Sequence, residues 1–102
     1  MNIFKQIQAF FLNLYCSKDR TQRYIFWFKN CGSNGWRAYI MSPINYRRRD
    51  TSLHATHRFY DAKLRLHYVC WTKPLYSKRA CEQVADLWSD RTTRYIKKGI
   101  RF

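Results

Sequence analysis

His54, Arg58, Tyr60, Arg65 and His67 are the residues of this sequence best equipped for chemistry. A histidine acting as general base or acid, with arginines stabilising a pentacoordinate phosphate, is a set that cleaves RNA. No spacing among the five is diagnostic of a nuclease, so binding without chemistry is preferred, with a small ribonuclease toxin as the enzyme alternative. His54-x-x-His57 and His67-x-x-Cys70 contain zinc-ligand residue types. On strands, a spacing of three sends the two members to opposite faces, so neither pair chelates one ion. No metal and no other cofactor is expected. The chain has no glycine-rich phosphate loop and no Gly-x-Ser-x-Gly elbow. Its six acids, Asp19, Asp50, Asp61, Glu82, Asp86 and Asp90, are too scattered for a two-metal nuclease.

Composition still points to phosphate. Twenty Lys and Arg against six Asp and Glu give a formal charge of +14 in 102 residues, and 19% of the chain is aromatic. Such a charge repels itself in a small domain and calls for an anionic partner. Arg and Lys grip phosphates, while aromatic rings and Arg planes stack on bases. DNA or RNA is therefore the expected partner. Arg47-Arg48-Arg49 is expected to clamp backbone phosphates. Arg91, Arg94, Lys98 and Arg101 recur at spacings of three and four, which places a basic stripe on the last turns of a helix. Charge placement near a helix C-terminus also accounts for that stripe. The competing class is a protein-interaction module, such as a phage-type inhibitor or accessory subunit, docking on an acidic protein or a nucleoprotein.

One α+β domain over residues 1–102 must position these groups. No apolar run approaches the roughly 18 residues of a membrane span, so no membrane contact is expected. Ala9–Cys16 is a poor signal peptide, with only Lys5 upstream, Asn13 inside it and no small-residue cleavage site. Ile3, Phe4, Ile7, Phe10, Phe11, Leu14 and Tyr15 instead predict an amphipathic docking helix over 2–16. Cys16, Cys31, Cys70 and Cys81 lie far apart and without paired spacing, which favours reduced thiols and a cytoplasmic protein, nuclear in a host with a nucleus.

An antiparallel sheet is predicted over 23–71. Tyr24–Phe28 and Gly35–Met41 form a first hairpin around Asn30–Gly35, and 42–52 is an Arg-rich loop. Leu53–Tyr60 and Leu64–Trp71 form a second hairpin around Asp61-Ala62. Its register sets Phe59 opposite Leu64 and Ala55 opposite Tyr68, with Leu53, His57, Leu66 and Cys70 on the same apolar face. The reverse face then gathers His54, Thr56, Arg58, Tyr60, Arg65, His67 and Trp71, joined by Arg37 and Tyr39. Ser77 caps a final helix over 77–97, with Tyr76 packing on Cys81 as a staple and Cys81, Val84, Ala85, Trp88, Thr92 and Tyr95 buried. The expected fold is a helix, a four-stranded antiparallel sheet and a helix packed on one sheet face.

Ile25-Phe26-Trp27-Phe28, the glycine-containing turn and Gly35-Trp36-Arg37-Ala38-Tyr39-Ile40 resemble the first hairpin of a DNA-binding family. That family is the three-stranded-sheet-plus-helix domain of integrase arm-binding regions and ethylene-response factors. Pro74–Ala85 is similar to its closing helix, so the resemblance covers about half the chain. It implies a sheet face that enters the DNA major groove, with Trp27, Arg37 and Tyr39 as contacts. The Arg-rich insertion and the fourth strand depart from the family pattern. Ser77-Lys78-Arg79 is also similar to the helix start of double-stranded-RNA-binding domains, which implies phosphate contacts by Lys78 and Arg79.

Overall fold

The aromatic and β-branched run Tyr24–Phe28 has high strand propensity and alternates between two faces. In a computed structural model, which describes the backbone strand 12–16 and residues 21–102, it lies at the centre of β2, Arg23–Asn30. β2 pairs antiparallel with β3, Trp36–Ile40, in the register Phe26↔Ile40 and Phe28↔Ala38. The connection is a short 3-10 turn, Gly32–Asn34, closed by the Cys31 N–H donating to the Gly35 carbonyl at 2.8 Å. Gly35 is required there. Its φ of 77° with ψ of −165° is open only to glycine, and a Cβ would sit 2.6 Å from the Leu75 carbonyl oxygen. That same carbonyl accepts the Trp36 N–H, tying the hairpin to the segment before the last helix.

On its other side β2 pairs with β1, Leu12–Cys16, from Leu12↔Trp27 to Cys16↔Arg23. The helix expected over 2–16 is therefore a strand over 12–16, and its residues 2–11 lie outside the described residues. Leu-Asn-Leu-Tyr-Cys fits a period of two as well as a helical stripe. The unpaired N–H and C=O groups along the edge of β2 decide between them.

Ser52 caps a single helical turn, α1, Leu53–Thr56, where a strand was expected: its hydroxyl accepts the Ala55 N–H at 3.2 Å. β4, Arg58–Asp61, then pairs with β5, Leu66–Val69. The register is Phe59↔Tyr68 and Tyr60↔His67, not Phe59 opposite Leu64. Asp61 makes the difference. Its Oδ1 accepts the Leu64 N–H at 3.1 Å, opening the turn to Ala62–Arg65, with Arg65 left-handed at φ 56°. β5 joins β3 at Tyr39↔Tyr68, giving a five-stranded antiparallel sheet in the order β1-β2-β3-β5-β4.

The closing helix α2, Lys78–Lys98, starts at Ser77, whose hydroxyl accepts the Ala80 N–H at 3.0 Å, and stops at left-handed Gly99. All six residues expected on its buried face are buried, together with Ser89, Thr93 and Ile96. Cys81, Val84, Ala85 and Trp88 pack with Tyr24, Phe26, Phe28, Ala38, Ile40 and Val69, whereas Tyr95 and Ile96 pack with Tyr46 and Ala55. Trp88 sets its ring edge-on to Tyr24 and Phe26 at 5.6 and 5.8 Å, and its Nε1 donates to the Thr56 carbonyl at 3.1 Å. The α+β architecture with a helix on one face of an antiparallel sheet is thus as expected. The staple is not: Tyr76 is 74% exposed, and Leu75 packs against the core instead. Among the described residues no helix is long and apolar enough to cross a membrane.

Candidate nucleic-acid interface

Cross-strand pairing settles which side chains share a face. Tyr39↔Tyr68 and Phe59↔Tyr68 put Phe59, Tyr68 and Asp61 with Trp27, Arg37 and Tyr39, on the face away from α2. Arg58, Tyr60 and His67 alternate onto the other face, with buried Val69. The expected single basic-aromatic face is therefore divided. Aromatic residues stand on both faces here (Phe59 beside Tyr60, His67 beside Tyr68), so alternation alone does not mark the inside.

The face away from α2 is an aromatic row. Trp27 to Tyr39, Tyr39 to Tyr68 and Phe59 to Tyr68 have ring centroids 5.4, 5.5 and 5.5 Å apart. Tyr39 is only 1% exposed, so its ring organises the face from within. Its hydroxyl donates to Asp61 Oδ2 at 2.8 Å and accepts from Arg37 at 3.5 Å. Burial above all raises the Tyr39 pKa, while the Tyr39 hydroxyl bond, first, holds the Asp61 carboxyl below its ordinary value. Arg37 closes the node, 3.6 Å from Asp61 and 4.4 Å above the Tyr68 ring. The Tyr39 bond is the main cause that raises the pKa of its guanidinium.

On the opposite face Tyr60 and His67 pair at 4.9 Å. Arg58 donates to Thr56 Oγ1 at 2.8 Å and to the Thr51 carbonyl at 3.2 Å, with its guanidinium 5.0 Å from the Tyr46 ring centroid. That makes it a brace between α1 and β4. His54 is exposed on α1, and its ring neighbour is His57 at 6.3 Å. His57, left-handed at the end of α1, lies flat on Phe102 with centroids 4.3 Å apart. Burial lowers the pKa of both His57 and His67, which keeps the neutral imidazole. The structure therefore joins Arg58, Tyr60 and His67 but points His54 toward His57, and it leaves Arg65 in the exposed turn. Among the described residues no three His, Cys, Asp or Glu side chains cluster as metal ligands.

The Arg-rich loop meets the end of α2. Arg49 donates from Nε to the Ile96 carbonyl at 3.3 Å and from a terminal nitrogen to the Lys97 carbonyl at 3.4 Å, capping carbonyls that the helix leaves open. Tyr95 donates its hydroxyl to the Asp50 carbonyl at 2.8 Å, and its ring packs 6.5 Å from Tyr46. Arg47, left-handed at φ 58°, and Arg48 are exposed there, as are Arg94, Lys98 and Arg101. Asp50 is the local acid, 3.8 Å from Arg101. Lys78 and Arg79 are exposed on the first turn of α2, which carries no acidic residue.

Two grooves connect these regions. A recess of about 220 Å³ is lined by Trp36, Arg37, Phe59, Tyr68, Trp71 and Lys73, among others. A more apolar cavity of about 390 Å³ reaches His57, Cys70, Arg91 and Phe102. Val69, Trp71 and Thr72 line both. Sequence reasoning missed Phe59, Tyr68, Lys73 and Phe102. No turn signal marks the first two: the expected hairpin already set Phe59 and Tyr68 on one face, and it is the pairing of β5 with β3 that turns this face away from α2. No protein family, curated protein or solved structure matches the chain.

Proposed function

We propose that this protein binds nucleic acid, holding phosphates with the exposed cations where the Arg-rich loop docks on the end of α2. The observation that carries this reading is the pair of Arg49 bonds to the last helical carbonyls. They anchor the backbone of the arginine triplet at the end of α2, near Lys98 and Arg101, so the loop itself need not be ordered when Arg47 and Arg48 contact a phosphate. The half-buried or buried free thiols Cys31, Cys70 and Cys81 suit a reducing compartment, the cytoplasm or nucleus, where nucleic acid is met.

Anisotropy titrations with labelled duplex and single-stranded DNA and RNA, at two salt concentrations and with gels checking probe integrity, test the reading. The expected result is binding that weakens steeply with salt and leaves the probes intact. Replacing Arg47 and Arg48 together with Ala lowers affinity for every probe and makes the slope of log K against log salt shallower by about 1 to 2. Absence of binding to any probe at physiological salt overturns it, and cleaved RNA makes the protein a nuclease.

A further inference from the structure

We propose that the recess between Phe59 and Trp71 is a nucleobase site, so that the ligand is single-stranded nucleic acid in preference to duplex; this rests on the nucleic-acid reading above. Phe59 and Trp71 are each 44% exposed and stand at the recess of about 220 Å³, whose lining includes Tyr68 with the Arg37 guanidinium 4.4 Å above its ring. Exposed aromatic walls are costly in water and are stacking surfaces for any base. A duplex keeps its base faces inside its own stack and offers a protein only edges and phosphates. An unpaired base can enter such a recess.

The charges around the recess agree. Arg37 is compensated by Asp61 at 3.6 Å and held by Tyr39, so it offers a fixed plane more than a net charge. Lys73, exposed at the recess, is placed for the phosphate next to the seated base. Trp71 and Thr72 also line the neighbouring cavity, which leads past Arg91 to Phe102 and its neighbour Arg101. A strand leaving the recess along that route meets the cations at the end of α2. A protein side chain would also fit an aromatic recess, but the cationic route beside it complements a polyanion.

The test compares a labelled oligothymidylate with an abasic deoxyribose-phosphate oligomer of equal length, and with duplex DNA. The wild-type protein is expected to bind the base-bearing strand about tenfold more tightly than the abasic one. Trp71→Ala should remove that difference while leaving abasic affinity unchanged, and Trp71→Phe should restore most of it. Circular dichroism checks the fold of each variant, and Phe59→Ala gives the same comparison if Trp71→Ala does not fold. Equal affinity for the base-bearing and abasic strands overturns the base site and leaves the phosphate reading standing. Failure of both strands to bind at low salt overturns both.

Discussion

Asp61 links three parts of the molecule through one carboxylate: the Tyr39 hydroxyl, the Leu64 N–H and the Arg37 guanidinium. Its folded pKa lies below the ordinary value of ~3.9. The resulting stabilisation is present above the unfolded value and is lost as pH falls through the folded one. Urea midpoints should therefore drop on acidification below about pH 4, and Asp61→Asn should make that drop shallower. Some dependence should persist, because Asp50 is also depressed, chiefly by the Ser52 N–H. Superimposable acid limbs for the two proteins would show that the node contributes nothing. Tyr46 presents the opposite case. Its hydroxyl is buried and unpartnered among the described residues, and burial pushes its pKa up to about 12. Tyr46→Phe removes a desolvated polar group and should leave stability unchanged or raise it by about 1 kcal/mol, read from urea unfolding. A marked loss would reveal a partner for that hydroxyl.

At the scale of elements, legibility followed the number of competing solutions for each segment. α2 was readable because Ser77, the apolar stripe and Gly99 all specify the same helix. The β2–β3 hairpin was readable because its turn residues and its aromatic strands agree. Leu12–Cys16 satisfies two periods at once, so only the waiting edge of β2 makes it a strand. In Leu53–Asp61 a side chain overrides the pattern twice, with Ser52 starting a helical turn and Asp61 lengthening the next connection. The division of the basic-aromatic face has a separate cause: β5 joins β3 at Tyr39↔Tyr68, which sets Arg37 and Tyr39 on the side opposite Arg58, Tyr60 and His67. Gly35 gives the element-scale prediction. Gly35→Ala must both adopt a glycine-only conformation and push the Leu75 carbonyl away from a Cβ 2.6 Å distant. It should destabilise the fold by about 2 kcal/mol or more. Gly32→Ala, at φ 66° but with nothing within 4 Å of its Cβ, should cost about 1 kcal/mol. Equal costs in chemical denaturation would mean that the Leu75 clasp yields freely.

For the molecule as a whole, +14 is confined to a body with a radius of gyration of 13.6 Å. The Debye length is about 10 Å at 0.1 M salt, so added salt shields much of this self-repulsion. Tm should rise as NaCl goes from a few millimolar toward physiological strength. A bound polyanion should raise it further, because it binds the native arrangement of cations more tightly than the unfolded chain. A Tm indifferent to both would mean that the cations are spaced too widely in the fold to repel one another and that the polyanion does not bind it.

The contrast between Trp88 and Trp71 supplies an intrinsic optical reporter. Trp88 is 3% exposed and wedged between Tyr24 and Phe26, whereas Trp71 is 44% exposed beside two grooves. An indole in an apolar core emits at shorter wavelength than one in water, and half-buried Trp27 and Trp36 emit between the two, so the blue and red edges of the band are weighted toward different events. Loss of the blue side follows unfolding of the helix–sheet core, while quenching confined to the red side follows occupancy of the grooves in a protein that remains folded.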